Sequence, residues 1–559
     1  MSHLATVTSH GLTSLRSRTE NHINQVLSNR SEVRHVDAKE AADDEDLLAQ
    51  IGYRQELSRR FSTFQVFGIA FSIMGLLPSI VSILTSGLEG GPASLVWGWL
   101  VSGFLILCIG LSMSVMSSAI PTSGGLFYWT NYYCPDSFRV PLSFVIGCSN
   151  SLALCAGFCS INYGFAFEVL AAVYINKDGD FTITNGKLYG VFAGCVISHV
   201  ILCCLTTTHT AKLQSFSIYT NCFLIVLFFI AVPIGASKNI GFNDAGFIFG
   251  KIENHRTWNT GWSFMLSWMP AVWTIGAFDS CLHMSEEASN ATRSIPVGIN
   301  GSITVCWLVG FCICCVFAAC IKDGDTARVL STPTGSVGAQ IILDALGKEW
   351  AVAFMSLIAF AQYLMGASTL IAASRQIWAF ARDDGLPFVH KLVKKVDPKI
   401  KVPVNATIFG GCLSLILGLL ILINSTAANA LFSLYIAGNY LAWGTPILLV
   451  LLPFGAAKFE PGPFYFGKVI TTSIHVITVV WIAFIIVLSM FPDNKEVDKE
   501  TMNYTIAING GVWSLTTVYY FVYGYKYYTG PKSNLEVVDA ASGSDTDVQN
   551  IDEMIGEKA

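Results

Sequence analysis

Long apolar stretches separated by short polar segments run along the whole chain after a polar opening of about 60 residues. The hydrocarbon core of a bilayer is about 30 Å thick, and about 20 apolar residues of helix cross it. Twelve stretches are long enough, so the pattern predicts an all-α polytopic membrane protein with about twelve transmembrane helices. These predicted spans 1 to 12 lie at 64–86, 93–119, 141–174, 189–209, 213–235, 262–285, 298–320, 350–373, 403–423, 429–452, 468–491 and 503–525.

Two of the predicted spans contain residues that interrupt helices. In span 6, Pro270 removes a backbone donor, Gly276 weakens the middle, and Asp279 places a carboxylate at membrane depth. Span 1 repeats the interruption with Gly75 and Pro78. A single kinked helix is common, but matched breaks five helices apart are typical of transporters with inverted repeats. The sequence therefore predicts a five-plus-five inverted repeat with broken helices 1 and 6.

The two breaks predict a central site for a small zwitterionic or cationic solute. The N–H groups that open the second half of span 1 would bind a carboxylate. Unwound carbonyls, aromatic faces and a carboxylate in span 6 would receive an ammonium group. For Trp273 and Phe278, ordinary packing against lipid or other helices is an equally good interpretation. The candidate substrate-binding residues are Ser72, Ile73, Met74 and Gly75 in span 1, and Trp273, Thr274, Ile275, Gly276, Phe278 and Asp279 in span 6.

Other charged residues are candidates for function and for a gate. Asp279 and Glu168 are carboxylates inside the predicted spans, and ionisable residues inside a membrane are functional candidates by default. Glu168 has an equally good alternative as a solvated residue near the outer mouth. His283, Glu286 and Glu287 follow Asp279 toward the cytoplasm and could form an inner gate with basic residues of other helices. The alternative for these three is a solvated helix end.

Composition agrees with a membrane protein and limits its chemistry. Of the 559 residues, 53% are hydrophobic and only 13% are charged, and the mean hydropathy is +0.54. Soluble domains carry about 25% charged residues, so a string of soluble domains is excluded. The 16 cysteines lie mostly in apolar stretches and are expected to be buried small hydrophobes. No metal-binding spacing of Cys and His occurs, and we expect neither metal, cofactor nor nucleic acid.

The distribution of basic residues predicts orientation and domains. Lys and Arg concentrate in cytoplasmic loops, and seven of them follow span 8: Arg375, Arg382, Lys391, Lys394, Lys395, Lys399 and Lys401. Both termini are therefore expected in the cytoplasm. We expect a largely disordered tail over 1–60 without a cleavable signal peptide, a transporter domain over 61–526 and a second tail over 527–559. The plasma membrane is the expected location, with the vacuolar membrane as an alternative, and the oligomeric state is left open.

Motifs of two competing classes are missing. No histidine is followed by Glu, so the metalloprotease motif H-E-x-x-H does not occur, and no Gly-Lys pair precedes Ser or Thr as a P-loop requires. We therefore expect a protein that is not an enzyme. A nutrient sensor that does not transport is a weaker alternative, because the two tails are short and featureless.

Several stretches together resemble the amino acid–polyamine–organocation superfamily. Within it they resemble the fungal amino acid/choline transporter branch, and most closely its 4-aminobutyrate (GABA) permeases. The stretches are LLAQIGYRQELSRRFSTFQVFGIAFSIMGLLPSI (47–80), GGPASLVWGW (90–99), IPTSGGLFYW (120–129), FVIGCSNSLAL (144–154), MPAVWTIGAFDSCLHMSEEA (269–288), FMSLIAF (354–360), SRQIWAFARDDGLP (374–387), LFSLYIAGNYLAW (431–443) and PGPFYFGK (461–468).

The resemblance implies a twelve-helix fold with a LeuT-like five-plus-five repeat and a site between helices 1 and 6. It implies a secondary active transporter that imports GABA or a related ω-amino acid by proton symport and alternating access. A permease of the same branch for polyamines, choline or another amino acid is the alternative. In either case the implied partners are the substrate, protons and the lipid bilayer.

The chain departs from the relatives at positions that often carry charge. Val115 stands where relatives often have Glu, Asn162 where close GABA permeases have Asp, and Asn221 where some proton-driven members have Lys. The stretch 447–459 lacks an Arg that relatives often have after helix 10. These changes bear on substrate and coupling more than on fold. For the proton coupling that the resemblance implies, they leave Asp279 and Glu168 as the candidate proton-carrying carboxylates.

Overall fold

The structure is a computed structural model that describes residues 57, 61–205, 207–423, 425–498 and 502–532. Its regular elements are helices, and the predicted all-α polytopic class is confirmed. Most of the two predicted tails, 1–60 and 527–559, lies outside the described residues. The helices are α1 (Thr63–Met74), α2 (Leu76–Leu88), α3 (Pro92–Ala119), α4 (Gly125–Tyr133), α5 (Arg139–Asn176), α6 (Asn185–Cys203), α7 (Thr207–Asn239), α8 (Ala245–Gly250), α9 (Thr260–Leu266), α10 (Met269–Thr274), α11 (Ser280–His283), α12 (Ala291–Ala319), α13 (Thr326–Leu330), α14 (Val337–Leu346), α15 (Lys348–Arg382), α16 (His390–Val393), α17 (Val404–Leu417), α18 (Ser425–Leu451), α19 (Pro453–Ala456), α20 (Lys468–Leu488) and α21 (Thr505–Val522).

Ten helical segments of the described residues are long and apolar enough to cross a membrane. They are α1 joined with α2, then α3, α5, α6, α7, α12, α15, α17 with its following 3₁₀ turn, α18 and α20. Of the twelve predicted spans, two do not form such a helix. Span 6 is divided among α9, α10 and α11, and span 12 forms the less apolar α21. The inverted repeat stays a prediction.

Span 1 breaks at a single residue. The helix α1 continues through Met74, and Gly75 then adopts the left-handed conformation with φ 42° and ψ 61° before α2 begins. The break is therefore confined to Gly75, because Ser72 lies in the last turn of α1. A glycine turns the chain there without the steric penalty that a Cβ imposes. The hydroxyl of Ser79 donates to the Met74 carbonyl at 2.7 Å and supports the turn.

Span 6 breaks more widely. The helix α10 ends at Thr274, Ile275 leaves the helical region at φ −87° and ψ 65°, and Ala277 has a positive φ of 52°. Helical structure resumes only at Ser280, so the segment 275–279 lies outside the helices. Pro270 lies at the start of α10 and separates it from α9, because a proline fits the first helical turn but not the interior.

The broken helices lie beside each other, and other long helices pack around them. The half α10 packs against α2, and α11 packs against α1, so the two breaks are neighbours. The helices α5, α15 and α18 pack around them. Small residues permit this approach: a Cβ on Gly157 of α5 would lie 2.6 Å from the Tyr435 ring of α18. The same holds for Gly147, whose added Cβ would lie 2.3 Å from the Phe380 ring of α15.

Candidate functional site

The breaks bring all ten candidate substrate-binding residues into the protein interior. Even the large side chain of Trp273 is only 5% exposed. The backbone at the breaks offers hydrogen-bonding groups. The first N–H groups of α2 and the last carbonyls of α10 have no partner within their own helices. The buried set comprises Ser72, Ile73, Met74, Gly75, Trp273, Thr274, Ile275, Gly276, Phe278 and Asp279.

Four polar side-chain atoms at the breaks have no hydrogen-bond partner within the described part of the chain. They are the hydroxyl oxygens of Ser72, Thr274 and Ser280 and the Oδ1 atom of Asp279. Buried polar groups in proteins are almost always hydrogen-bonded, and an unsatisfied one is costly. Unpartnered acceptors and hydroxyls at two neighbouring breaks are what a polar solute needs for binding.

An aromatic wall from α18 closes one side of the span 6 break. The Trp273 ring lies 4.5 Å from the Phe432 ring and 4.9 Å from the Tyr435 ring, measured between centroids. Phe278 lies 4.5 Å from Trp443 in the same way. Trp273 and Phe278 therefore pack against α18, and this geometry fits both interpretations of these rings, as packing residues and as part of a cation-binding wall.

Asp279 is fixed by an amide from α5. Its side chain is fully buried, and its Oδ2 atom accepts a hydrogen bond from Nδ2 of Asn150 at 3.0 Å. The same Nδ2 donates to Oδ1 of Asn439 in α18 at 2.9 Å. Both protons of one amide group are thus used to tie three helical elements together. A carboxylate that accepts such a bond is held in one orientation.

His283 lies one turn beyond Asp279. Its Nε2 atom is 3.5 Å from Oδ2 of Asp279, and its Nδ1 atom is 3.1 Å from the Ser123 carbonyl oxygen. Ser123 belongs to the turn before α4. The histidine is fully buried, so it is not part of a solvated helix end.

Glu168 is also buried rather than solvated. Its side chain is 1% exposed, and its Oε1 atom accepts from the Ser82 hydroxyl of α2 at 3.3 Å. The Pro78 carbonyl oxygen, 2.9 Å away, shares the single proton of this hydroxyl. The alternative of a merely solvated Glu168 is therefore wrong. The carboxylate contacts α2 directly, the half of span 1 that follows the break.

Glu286 and Glu287 form two buried ion pairs with α15. Nε of Arg375 donates to Oε1 of Glu287 at 2.7 Å, and Nη1 of Arg382 donates to Oε2 of Glu286 at 3.0 Å. The alternative interpretation of Glu286 and Glu287 as part of a solvated helix end is therefore wrong. The assignment of both arginines to a loop is also wrong, because α15 extends to Arg382 and buries them. A partner carboxylate from span 6 makes that burial possible.

At the three positions where relatives carry a charge, this chain has the uncharged residues Val115, Asn162 and Asn221. Val115 is 1% exposed in α3. The amide of Asn162 donates to the Phe158 carbonyl at 2.6 Å, and the amide of Asn221 donates to the Ser217 carbonyl at 3.0 Å. Each asparagine bonds its own helix, so neither forms an ion pair there.

Sequence reasoning did not single out the residues that other helices bring to the site. These are Asn150, Asn439, Tyr435 and Trp443. A signal existed, because an asparagine inside an apolar span is costly unless it is paired. Their partners could not be predicted, since Asn150 and Asp279 are 129 residues apart. Within the described residues, no group of three or more His, Cys, Asp or Glu is arranged to hold a metal ion.

The fold and site together define a class. A polytopic helical protein whose two neighbouring broken helices hold a buried carboxylate and unpartnered polar atoms is a membrane transporter. The family model described as amino acid permease matches residues 61–512. The chain belongs to this amino acid permease family, and it is a transporter of small amino acid solutes rather than an enzyme.

Individual relatives cover nearly the whole chain. A GABA-specific permease of Saccharomyces cerevisiae is 53% identical over 96% of this chain and 92% of its own length. An amino-acid permease of Schizosaccharomyces pombe without characterised function is 32% identical over 88% of this chain and 90% of its own. A Candida albicans protein described only provisionally as a polyamine transporter is 28% identical over 94% and 95%.

Proposed function

We propose that this permease imports 4-aminobutyrate or a closely related ω-amino acid together with protons. The observation that carries the proposal is the buried Asp279 carboxylate at the span 6 break, with one oxygen bonded to Asn150 and the other without a partner. The 53% identity with a GABA-specific permease supports the same substrate class.

The two charges of a zwitterion have separate places in this proposal. The substrate carboxylate binds at the N-terminal end of α2, where unpaired N–H groups and the helix dipole favour an anion. The ammonium group binds the free Oδ1 atom of Asp279, the carbonyls that end α10 and the face of Trp273. Ser72 and Thr274 supply hydroxyl groups at the two ends.

Proton coupling and access have their own residues. Asp279 and Glu168 are the proposed proton-carrying carboxylates, and both contact the broken helices. The ion pairs Glu286–Arg382 and Glu287–Arg375 are the proposed inner gate, which closes the cytoplasmic side and parts when the inner half of span 6 moves. Alternating access would follow from exchanging these closed contacts for others on the opposite side.

Uptake of labelled GABA in cells that lack their own permeases tests the proposal. We expect saturable uptake that is faster at pH 5 than at pH 7.5 and that collapses with a protonophore. The Asp279→Asn and Glu168→Gln variants, checked for equal surface abundance, should lower this uptake. Absence of GABA uptake by a protein that reaches the surface contradicts the substrate, and uptake that ignores the protonophore contradicts proton coupling.

A polyamine or choline permease is the second candidate, favoured by the carboxylate and the aromatic wall. These groups suit a cation that has no carboxylate of its own, and the Candida albicans relative is described in those terms. A diamine would gain little from the N-terminal end of α2. Unlabelled GABA should displace labelled GABA far better than putrescine or choline does, and the opposite order favours the second candidate.

We further propose that both termini are cytoplasmic and that the plasma membrane is the working location. The proposal is supported by the exposed lysines of the segment after α16, namely Lys395, Lys399 and Lys401. A C-terminal reporter that is active only in the cytoplasm, combined with imaging of its location, tests both points. A reporter signal confined to the vacuolar membrane contradicts the location but not the orientation.

A further inference from the structure

Asp279 and His283 face each other in a fully buried pair that also contacts two other elements. The atoms that face are Oδ2 and Nε2, at 3.5 Å. Behind the histidine, the Ser123 carbonyl oxygen lies 3.1 Å from Nδ1. Behind the carboxylate, Asn150 donates to the same Oδ2 atom.

The Ser123 carbonyl determines where one proton of the pair lies. A carbonyl oxygen only accepts hydrogen bonds, so Nδ1 of His283 must carry a proton. If the histidine is neutral, the Nε2 lone pair then faces the carboxylate, and two acceptors oppose each other in a buried place. One additional proton removes this conflict, either on Nε2 or on the carboxyl group. The pair therefore has a charge of minus one without this proton and a charge of zero with it.

We infer that Asp279 and His283 hold one transported proton between them, with Asn150 as the positioning residue that orients the carboxylate. This inference rests on the proposed proton-coupled transport and names the seat of the proton. Proton binding forms one N–H or O–H bond on the pair, and release toward the cytoplasm breaks it.

The histidine explains why proton and substrate can bind together. A proton on Asp279 alone would remove the negative charge that the substrate ammonium needs, and the two cations would compete. A proton on Nε2 of His283 leaves the carboxylate ionised, and the unpartnered Oδ1 atom stays available to the ammonium group. Symport requires joint binding, whereas competition favours exchange.

The described elements that pack against the pair carry few charged residues. Helix α12, which packs against α11, carries Arg293, and this side chain is exposed. The titratable groups that face Asp279 are Cys281 and Tyr435. The sequences of α1 and of 431–451 in α18 hold no charged residue, and neither does the part of α5 near Asn150. Helix α15 contributes Arg375 and Arg382, and both are paired with Glu287 and Glu286. Glu287, the next residue of the proposed gate, follows beyond the end of α11 at His283.

The decisive variant is His283→Gln, with His199→Gln as its matched control. His199 is equally buried and contacts the Tyr363 carbonyl at 2.8 Å, but its other ring nitrogen faces the Cys195 sulfur instead of a carboxylate. We expect His283→Gln to retain exchange of labelled for unlabelled GABA while losing gradient-driven accumulation. Its KM for GABA should rise about tenfold between pH 7.5 and pH 5, whereas the KM of the parent and of His199→Gln should fall.

Asn150→Ser gives a second measurement that does not need the histidine changed. Asn150 donates a hydrogen bond to the carboxylate oxygen that faces the histidine, so its loss should move half-maximal uptake to higher pH. Asn509→Ser is the control, because this buried amide donates only to the Thr505 carbonyl of its own helix.

The possible outcomes separate this inference from the proposal on which it rests. Acid-stimulated uptake that persists in His283→Gln, together with an unshifted pH profile in Asn150→Ser, overturns the inference while proton symport stands. A parent protein without proton-driven GABA uptake overturns the proposed function itself. If His283→Gln does not reach the membrane, the direction of the Asn150→Ser shift decides, and a shift to lower pH or none contradicts the inference.

Discussion

Arg375 and Glu287 form an ion pair in which both side chains are fully buried, with Nε of the arginine 2.7 Å from Oε1 of the glutamate. Removing one member of a buried pair leaves an uncompensated charge and costs about 3–5 kcal/mol. Arg375→Gln should therefore lower the thermal stability of the purified protein strongly. The double variant with Glu287→Gln should regain part of the loss, because no charge is then left unpaired. Additive losses in a thermal unfolding series would contradict a direct pairing.

The break in span 1 requires a residue without a side chain. A Cβ on Gly75 would lie 2.7 Å from the Met365 sulfur. The positive φ of 42° would cost a residue with a side chain a further ~1–2 kcal/mol. We expect Gly75→Ala to reduce uptake more than tenfold at equal surface abundance. Gly510→Ala is the control, since nothing lies within 4 Å of its added Cβ. Equal uptake by both variants would show that the left-handed turn is not needed.

In the span 6 break, the Tyr435 hydroxyl group lies against Gly276. A Cβ on Gly276 would lie 2.5 Å from the Tyr435 hydroxyl oxygen, so Gly276→Ala should abolish most uptake by displacing the tyrosine. Removing the hydroxyl makes room, and we expect Gly276→Ala combined with Tyr435→Phe to transport better than Gly276→Ala alone. Kinetics of the single and double variants measure this coupling. No rescue by the second change would mean that the glycine is required for another reason.

Glu89, directly after α2, gives the protein a pH dependence. Burial raises the pKa of its carboxyl from 4.5 to about 7, the Arg256 ion pair at 2.8 Å opposes this, and Asp493 adds to it. A raised carboxyl pKa stabilises the folded state below pH 4.5 and loses this contribution as pH rises through about 7.

The parent should therefore melt at a lower temperature at pH 8 than at pH 5. This drop in melting temperature should be larger in the parent than in Glu89→Gln. Thermal unfolding of purified protein at several pH values measures the difference. Asp178→Asn is a control, because this carboxylate is 76% exposed. Identical pH profiles for the parent and Glu89→Gln would contradict the assignment of this dependence to Glu89.

Hydrophobic pattern predicted the helices, and glycines predicted where two of them break. Gly75 and Gly276 could be recognised because a flexible residue inside an apolar span has a purely local meaning. The partners of Asp279 and Glu287 could not, because Asn150 and Arg375 lie far away in sequence and their burial depends on a contact that only the folded chain makes. Arg375 in particular resembles a loop residue in sequence, since its pairing with a carboxylate is what permits burial.

Accumulation of GABA in proteoliposomes tests the central claim, that a carboxylate between two broken helices couples substrate to protons. Purified parent and Asp279→Asn protein are reconstituted with an alkaline interior, and labelled GABA is followed with and without the imposed pH gradient. We predict that the parent concentrates GABA only while the gradient lasts and that Asp279→Asn does not concentrate it. Gradient-driven accumulation by Asp279→Asn at the parent's level would contradict the account.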